Sequence, residues 1–219
     1  MRFAAVETST QWCSVALWCD GEVASLERLA GQRHSELVLP MLERLLELQK
    51  ISLQQLHCVA FGAGPGSFTG LRIACALAQG LALARALPVL GVSTLEALAE
   101  ESGARRVVAC LDARMREVYY AALEKEGPRW REVIAPQCLA PQEVPRPAGE
   151  GWVGCGSGFE AYGNLGFARV LPQVHPTAAA VAALAAPRFA AGEGLDAALA
   201  APLYLRDKVA LTKEEQAAR

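Results

Sequence analysis

The chain reads as an α/β protein of two lobes, both built on one repeated unit. Three observations predict this. A single order of elements (three strands, a helix, a strand, a glycine turn, a helix, a strand, a helix) recurs in pattern though not in letters. Each half opens on a basic-then-apolar strand that ends in an acid, Glu7 and then Asp112. Each half also turns through glycines after its fourth strand, at Gly62–Gly70 and again at Gly156–Gly158.

In the first half, Arg2 to Val6 is a short apolar run closed by Glu7, and Thr8 to Thr10 form a polar turn. Ser14 to Cys19 is the second strand, and Asp20–Gly21 is a strong hairpin signal before the third strand, Glu22 to Leu29. Ser35 is placed to cap a helix that runs to about Gln49, with Pro40 kinking it near its start. Leu56 to Phe61 is the fourth strand and enters the glycine loop. A long helix covers Thr69 to Ala86, Pro88 to Val92 is the fifth strand, and "STLE" at Ser93 to Glu96 is a capping box that starts a third helix.

In the second half, Arg106 to Leu111 leads to Asp112, and Ala113 to Arg116 make the polar turn. Glu117 to Leu123 and Trp130 to Ile134 are strands joined at "EKEGP". A proline-rich connector, Pro136 to Pro147, takes the place of the first helix. Trp152 to Cys155 and Arg169 to Pro172 are the last strands, and Thr177 caps an alanine-rich helix. Each half is thus an antiparallel meander extended by parallel strands. Two of them predict the duplicated ribonuclease-H-like architecture of the actin-like ATPases (the ASKHA fold), with lobes over residues 1–104 and 105–219.

Composition limits the function. A chain of 219 residues has ample length for a packed core. Hydrophobic residues make up 53%, which excludes general disorder. The net charge of −2 offers no basic excess, so any RNA contact is expected to be local or shared with a partner. The seven cysteines include no C-x-x-C pair, which predicts reduced thiols and a cytoplasmic protein. The opening "MRFAAVETST" is unlike a signal peptide. The most apolar stretch, Ile73 to Ala84, is too short to span a bilayer.

The loop "GAGPGSFTGLR" at Gly62 to Arg72 has the form of a phosphate site, because glycines allow close backbone approach and a helix start presents free N–H groups. It lacks the G-K-[ST] of a Walker loop, and its G-x-G-x-x-x-G spacing is one residue off the dinucleotide fingerprint. A helix dipole contributes only about 0.3–1 kcal/mol to an anion, too little to hold ATP without a cation beside it. Two readings stand: a tight turn that seats the helix on the sheet, or a vestigial nucleotide loop formed by Thr8, Ser9, Gly64, Gly66, Ser67 and Gly70.

Glu7 and Asp112 occupy equivalent points of the two repeats. They either hold a hydrated Mg²⁺, which demands near-ideal octahedral geometry, or cap their turns by accepting backbone N–H bonds. Asp112 and Arg114 are the possible contacts of the second turn, where Arg116 also lies. His34, His57 and His175 are scattered with no H-x-x-x-H spacing, so neither a helix-borne metal pair nor a catalytic triad can be assigned.

Two helices carry more apolar surface than one sheet covers. Leu37, Val38, Met41, Leu42, Leu45, Leu46 and Leu48 fill roughly half the wheel of the first, where one buried face needs little over 100°. In the second, Leu71, Ile73, Leu77, Leu81, Leu83 and Leu87 point all round beside a stripe of alanines. Either these helices are sandwiched within their own chain or their second faces meet a partner. The residues assigned to a partner interface are Leu37, Met41, Leu42, Leu45, Leu71, Ile73, Leu77 and Leu81. The charged end "LTKEEQAAR", from Leu211, is expected to fray.

The runs "VETSTQWCSVALW", "GPGSFTGLRI", "GVSTLEALA", "DARMREVYYA" and "PLYLRDKVA", in that order, resemble the bacterial TsaB (YeaZ) family over about Phe3 to Ala210. Glu7 departs from the Asp expected there. The resemblance implies a non-catalytic subunit of the machinery that makes threonylcarbamoyladenosine next to the tRNA anticodon. It implies a heterodimer with TsaD, a ternary complex that adds the ATPase TsaE, and a homodimer of the chain alone. TsaD is expected to carry the histidine pair missing here. No catalytic residue, metal or resident cofactor is expected, ATP or ADP binding is expected to be weak or confined to the complex, and tRNA contact is indirect at most. The alternative is a stand-alone actin-like phosphotransferase or carbamoyl transferase using ATP and Mg²⁺.

Overall fold

The structure, a computed structural model, describes residues 1–206; "LTKEEQAAR" and the end of "YLRDK" lie outside the described residues. The first sheet holds β1 (Arg2–Glu7), β2 (Trp12–Cys19), β3 (Glu22–Leu29), β4 (Cys58–Gly64) and β5 (Val89–Ser93), in the spatial order β3-β2-β1-β4-β5. The second holds β6 (Arg106–Arg114), β7 (Glu117–Glu126), β8 (Arg129–Leu139), β9 (Val153–Cys155) and β10 (Val170–Leu171). Read from its β8 edge, its order is β8-β7-β6-β9-β10. This is the first sheet's order again. In each sheet the first two pairings along the chain are antiparallel, and the fourth and fifth strands join in parallel. The protein therefore has the duplicated, two-lobed α/β fold.

Period-two alternation decides which side chains meet which layer. Phe3 and Ala5 of β1 face the space between the sheets, while Ala4 and Val6 face outward. Val107, Ala109 and Leu111 of β6 face the same central space, and Val108 and Cys110 face away from it. Two helices fill the centre: α3 (Thr94–Glu101) and α5 (Ala178–Ala190). α5 returns from the far end of the chain to pack on β1, β2 and β4 of the first sheet. Its run of alanines lets it approach the sheet closely, with Ala178, Ala182 and Ala185 fully buried.

α1 (His34–Gln49) and α2 (Phe68–Leu83) cover the outer face of the first sheet, and the short α4 (Ser157–Tyr162) covers that of the second. The helix starts largely follow their capping chemistry. Ser67, Ser93 and Thr177 accept the N–H of Gly70, Glu96 and Ala180. α1 departs from expectation: it starts at His34 after Arg33, so Ser35 lies inside the first turn and caps nothing. β8 also runs on through Pro136 into the expected connector. It is an edge strand, where a residue without an N–H is tolerated.

Candidate functional site

Where the lobes face each other above the central helices lies a cleft of about 770 Å³. The glycine loop between β4 and α2 forms one wall, and the Asp112–Met115 turn forms the other. Trp12 and His175 close an end, stacked at 4.4 Å between ring centroids, with His175 Nε2 3.3 Å from a carboxylate oxygen of Glu27.

The glycine loop is filled by its own protein. Ser67 N–H donates to the Ser9 carbonyl at 2.7 Å, and the Thr8 hydroxyl donates to the Gly70 carbonyl at 2.7 Å. A β-carbon at Gly70 would lie 1.9 Å from the Thr8 carbonyl oxygen, and one at Gly66 would lie 2.7 Å from that of Ser9. These glycines let the loop dock on the β1–β2 turn. Of the expected nucleotide loop, Thr8, Ser9, Gly66, Ser67 and Gly70 come together in one tight unit, while Gly64 lies against Leu71 and Leu203. Thr8 and Ser9 are buried in it, and Gly66 and Ser67 face the cleft.

Both acids at the strand ends serve their turns. Glu7 is buried, and its Oε1 accepts the Ser9 N–H. Oε2 lies against Gly62 and finds no hydrogen-bond partner among the described residues. Burial pushes the Glu7 carboxyl up to about 7, against the lowering pull of the Ser9 and Thr8 hydrogen bonds and of His175. Asp112 accepts from the Arg114 N–H at 2.8 Å and from the Tyr162 hydroxyl at 3.3 Å, and pairs with the Arg114 guanidinium at 3.2 Å. This is the turn-capping arrangement weighed for it. Among the described residues, no three His, Cys, Asp or Glu side chains gather into a metal-ligating group. All seven cysteines are free thiols, and burial raises Cys58 and Cys110 to about 12.

The residues assigned to a partner face separate into two groups. Met41, Leu42, Leu45 and Leu71 are interior, and their assignment is corrected: they pack inside this chain. α1 sits against β2, β3 and α2 together, so its broad apolar stripe is covered from two sides. Leu37, Ile73, Leu77 and Leu81 are half-buried on the outer side. The alanine stripe of α2 explains the division, because Ala74, Ala78 and Ala82 face the sheet and turn the larger residues away from it. The wheel did not single out Phe68 and Leu39, yet both stand exposed, as do Leu48 and Leu83. No local pattern marks them, since exposure here depends on the tilt of each helix on the sheet. The run "YLRDK", Tyr204 to Lys208, reads in the sequence as either a partner contact or a terminal strand; its described part, Tyr204 to Arg206, forms no strand. The segment Leu203 to Arg206 crosses the cleft: Leu203 N–H bonds to the Ala63 carbonyl, and Arg206 bonds to the Ala113 carbonyl at 2.9 Å. Among the described residues, no helix is long and apolar enough to cross a membrane.

The family model of TsaD, tRNA N6-adenosine threonylcarbamoyltransferase, matches residues 26–163. The chain is 38% identical to the tRNA threonylcarbamoyladenosine biosynthesis protein TsaB of Escherichia coli (strain K12), covering 97% of this chain and 98% of that protein. It is 34% identical to the TsaB protein of Haemophilus influenzae, covering 97% of each. The solved structure of YeaZ from Pseudomonas aeruginosa superposes with a TM-score of 0.89 at 37% identity, covering 93% of this chain and 99% of that one. Another structure from the same organism, described as similar to the peptidase YeaZ, agrees equally well, with a TM-score of 0.89.

Proposed function

Because the chain belongs to the TsaB family of tRNA threonylcarbamoyladenosine biosynthesis proteins, we propose that it acts there as a non-catalytic subunit that docks on TsaD. In this reading it sustains TsaD in an active arrangement, TsaE joins the pair, and the chain alone forms a homodimer. It works in the cytoplasm and touches tRNA only through its partners. The observation that carries the non-catalytic part is the state of the two strand-end acids. Glu7 is shut away beneath Ser9 and Gly62, and Asp112 is occupied by Arg114 and Tyr162. Phosphoryl or carbamoyl transfer at this cleft would need carboxylates open to a metal ion and substrate. The glycine loop then serves to seat α2, and nucleotide affinity is weak or arises only in the complex.

The docking face in this reading is the outer side of α2, with Ile73, Leu77 and Leu81, flanked by Leu37 of α1. Half-buried aliphatic side chains in a row supply the area that a partner can close over. Reconstitution with purified TsaD and TsaE tests it. Threonylcarbamoyl transfer to tRNA is expected to need all three proteins. Turnover by this chain alone with ATP, Mg²⁺, a carbamoyl donor and an acceptor would overturn the subunit reading.

A further inference from the structure

The chain leaves α5, runs along the edge of the first sheet, where Leu195 bridges Val89, and passes beside α2, where the Gln79 amide donates to the Ala200 carbonyl at 3.1 Å. It then crosses from one lobe to the other. On the first lobe, Leu203 N–H donates to the Ala63 carbonyl at 2.6 Å. Its own carbonyl lies over Gly64, so close that a β-carbon there would meet it at 2.5 Å. Tyr204 packs on Phe68 at 5.5 Å between ring centroids and accepts a hydrogen bond from Arg72 Nε at 3.1 Å. Three residues after Leu203 the segment is anchored on the second lobe. The Arg206 guanidinium donates to the Ala113 carbonyl, pairs with Glu117 and lies near the Tyr119 ring.

We propose that Leu203–Arg206 is a strap that closes the cleft over the glycine loop, and that its two anchors hold and release together. Only three residue steps separate the two anchors, a backbone reach of at most about 11 Å, so the position of one anchor restricts the other. Freeing Arg206 therefore removes the constraint that keeps Leu203 aligned on Ala63, and the converse holds equally, because coupling between two sites is reciprocal. Leu203, Tyr204 and Arg206 line the cleft together with Gly66 and Ser67, so a ligand held by the glycine loop would touch the strap. The strap also joins the cleft to α2, since Tyr204 rests on Phe68 and Arg72 at that helix's start. If α2 is the docking face, a partner seated there reaches Tyr204 and can lift the strap. That consequence rests on the docking reading, whereas the strap itself does not.

The test uses the full chain without any partner, so its failure is distinct from failure of the docking reading. Arg206→Ala is expected to speed hydrogen exchange at the Leu203 amide by about ten-fold or more, given the strength of a charged hydrogen bond, with the melting temperature little changed. An unchanged Leu203 amide would mean that the anchors are independent, and the strap would be disproved. Tyr204→Ala works from the other end and replaces an exposed side chain. It is expected to accelerate trypsin cleavage after Arg206 by a similar factor. Cleavage at the wild-type rate would overturn the proposal, even if Arg206→Ala failed to fold.

Discussion

Oε2 of Glu7 lies so close over the α-carbon of Gly62 that a β-carbon at position 62 would meet it at 1.8 Å. The acid at the end of β1 is thereby packed into the sheet as a filler. Its extra methylene, relative to aspartate, reaches across to the neighbouring strand. A buried carboxyl in such a place favours its neutral form, and its pKa stands at about 7.

The pH dependence of stability follows. Below about 4.5, the ordinary glutamate value, Glu7 is protonated in both the folded and unfolded chain and contributes no slope. Between 4.5 and about 7 the folded chain keeps a proton that the unfolded chain gives up, so stability falls as pH rises. Above 7 the loss is complete, at about 3 kcal/mol. Glu7→Gln keeps the carbonyl that accepts from Ser9 and removes the titration. Urea unfolding from pH 4 to 8 is expected to show the variant equal to wild type at the acid end and more stable at the basic end. Parallel profiles would refute the buried, proton-holding state.

Gly70 sits inside α2, where alanine is normally better by about 1 kcal/mol. Here its β-carbon would strike the Thr8 carbonyl oxygen at 1.9 Å. Gly70→Ala is expected to cost about 1–3 kcal/mol, the range of overpacking. At Gly80, in the same helix, a β-carbon would meet nothing within 4 Å, and Gly80→Ala is expected to stabilise by up to about 1 kcal/mol. Melting curves of both variants give the comparison, and equal shifts would contradict the docked loop.

Leu45 is 2% exposed, whereas Leu77 is half-buried on the outer side. Leu45→Asp buries an unpaired charge at a cost of several kcal/mol and is expected to unfold the chain. Leu77→Asp is expected to fold, by circular dichroism, and to lose co-purification with TsaD. A folded Leu77→Asp protein that still bound TsaD would remove the docking face from α2.

Thr177 caps the central helix, accepting the Ala180 N–H at 3.1 Å and hydrogen-bonding Glu101 of α3. Thr177→Ala is expected to cost about 1 kcal/mol, read by chemical denaturation. Because α5 packs on strands of the first sheet, the loss is expected to appear as one cooperative transition.

Much of this was legible in the residues. Asp20–Gly21 specifies its turn because both positions take positive φ. Ser93 and Thr177 announce helix starts, each accepting the N–H three residues further on. The repeat appeared because each half needs the same succession of period-two and period-3.6 runs. The partner face was only partly readable. Leu45 and Leu77 look alike on a helical wheel, and nothing local says that α1 lies against both sheet and helix while α2 turns alanines inward.

Sequence alone therefore determined the succession of strands, helices and turns, the twofold plan and the family, because these depend on bonding and patterning within a few residues. The tertiary structure decided which leucines are core, that α5 returns to the first sheet, that Glu7 is enclosed and that Arg206 reaches across to Ala113. Those outcomes depend on which surfaces meet across the chain, and burial of that kind is a property of the assembled layers.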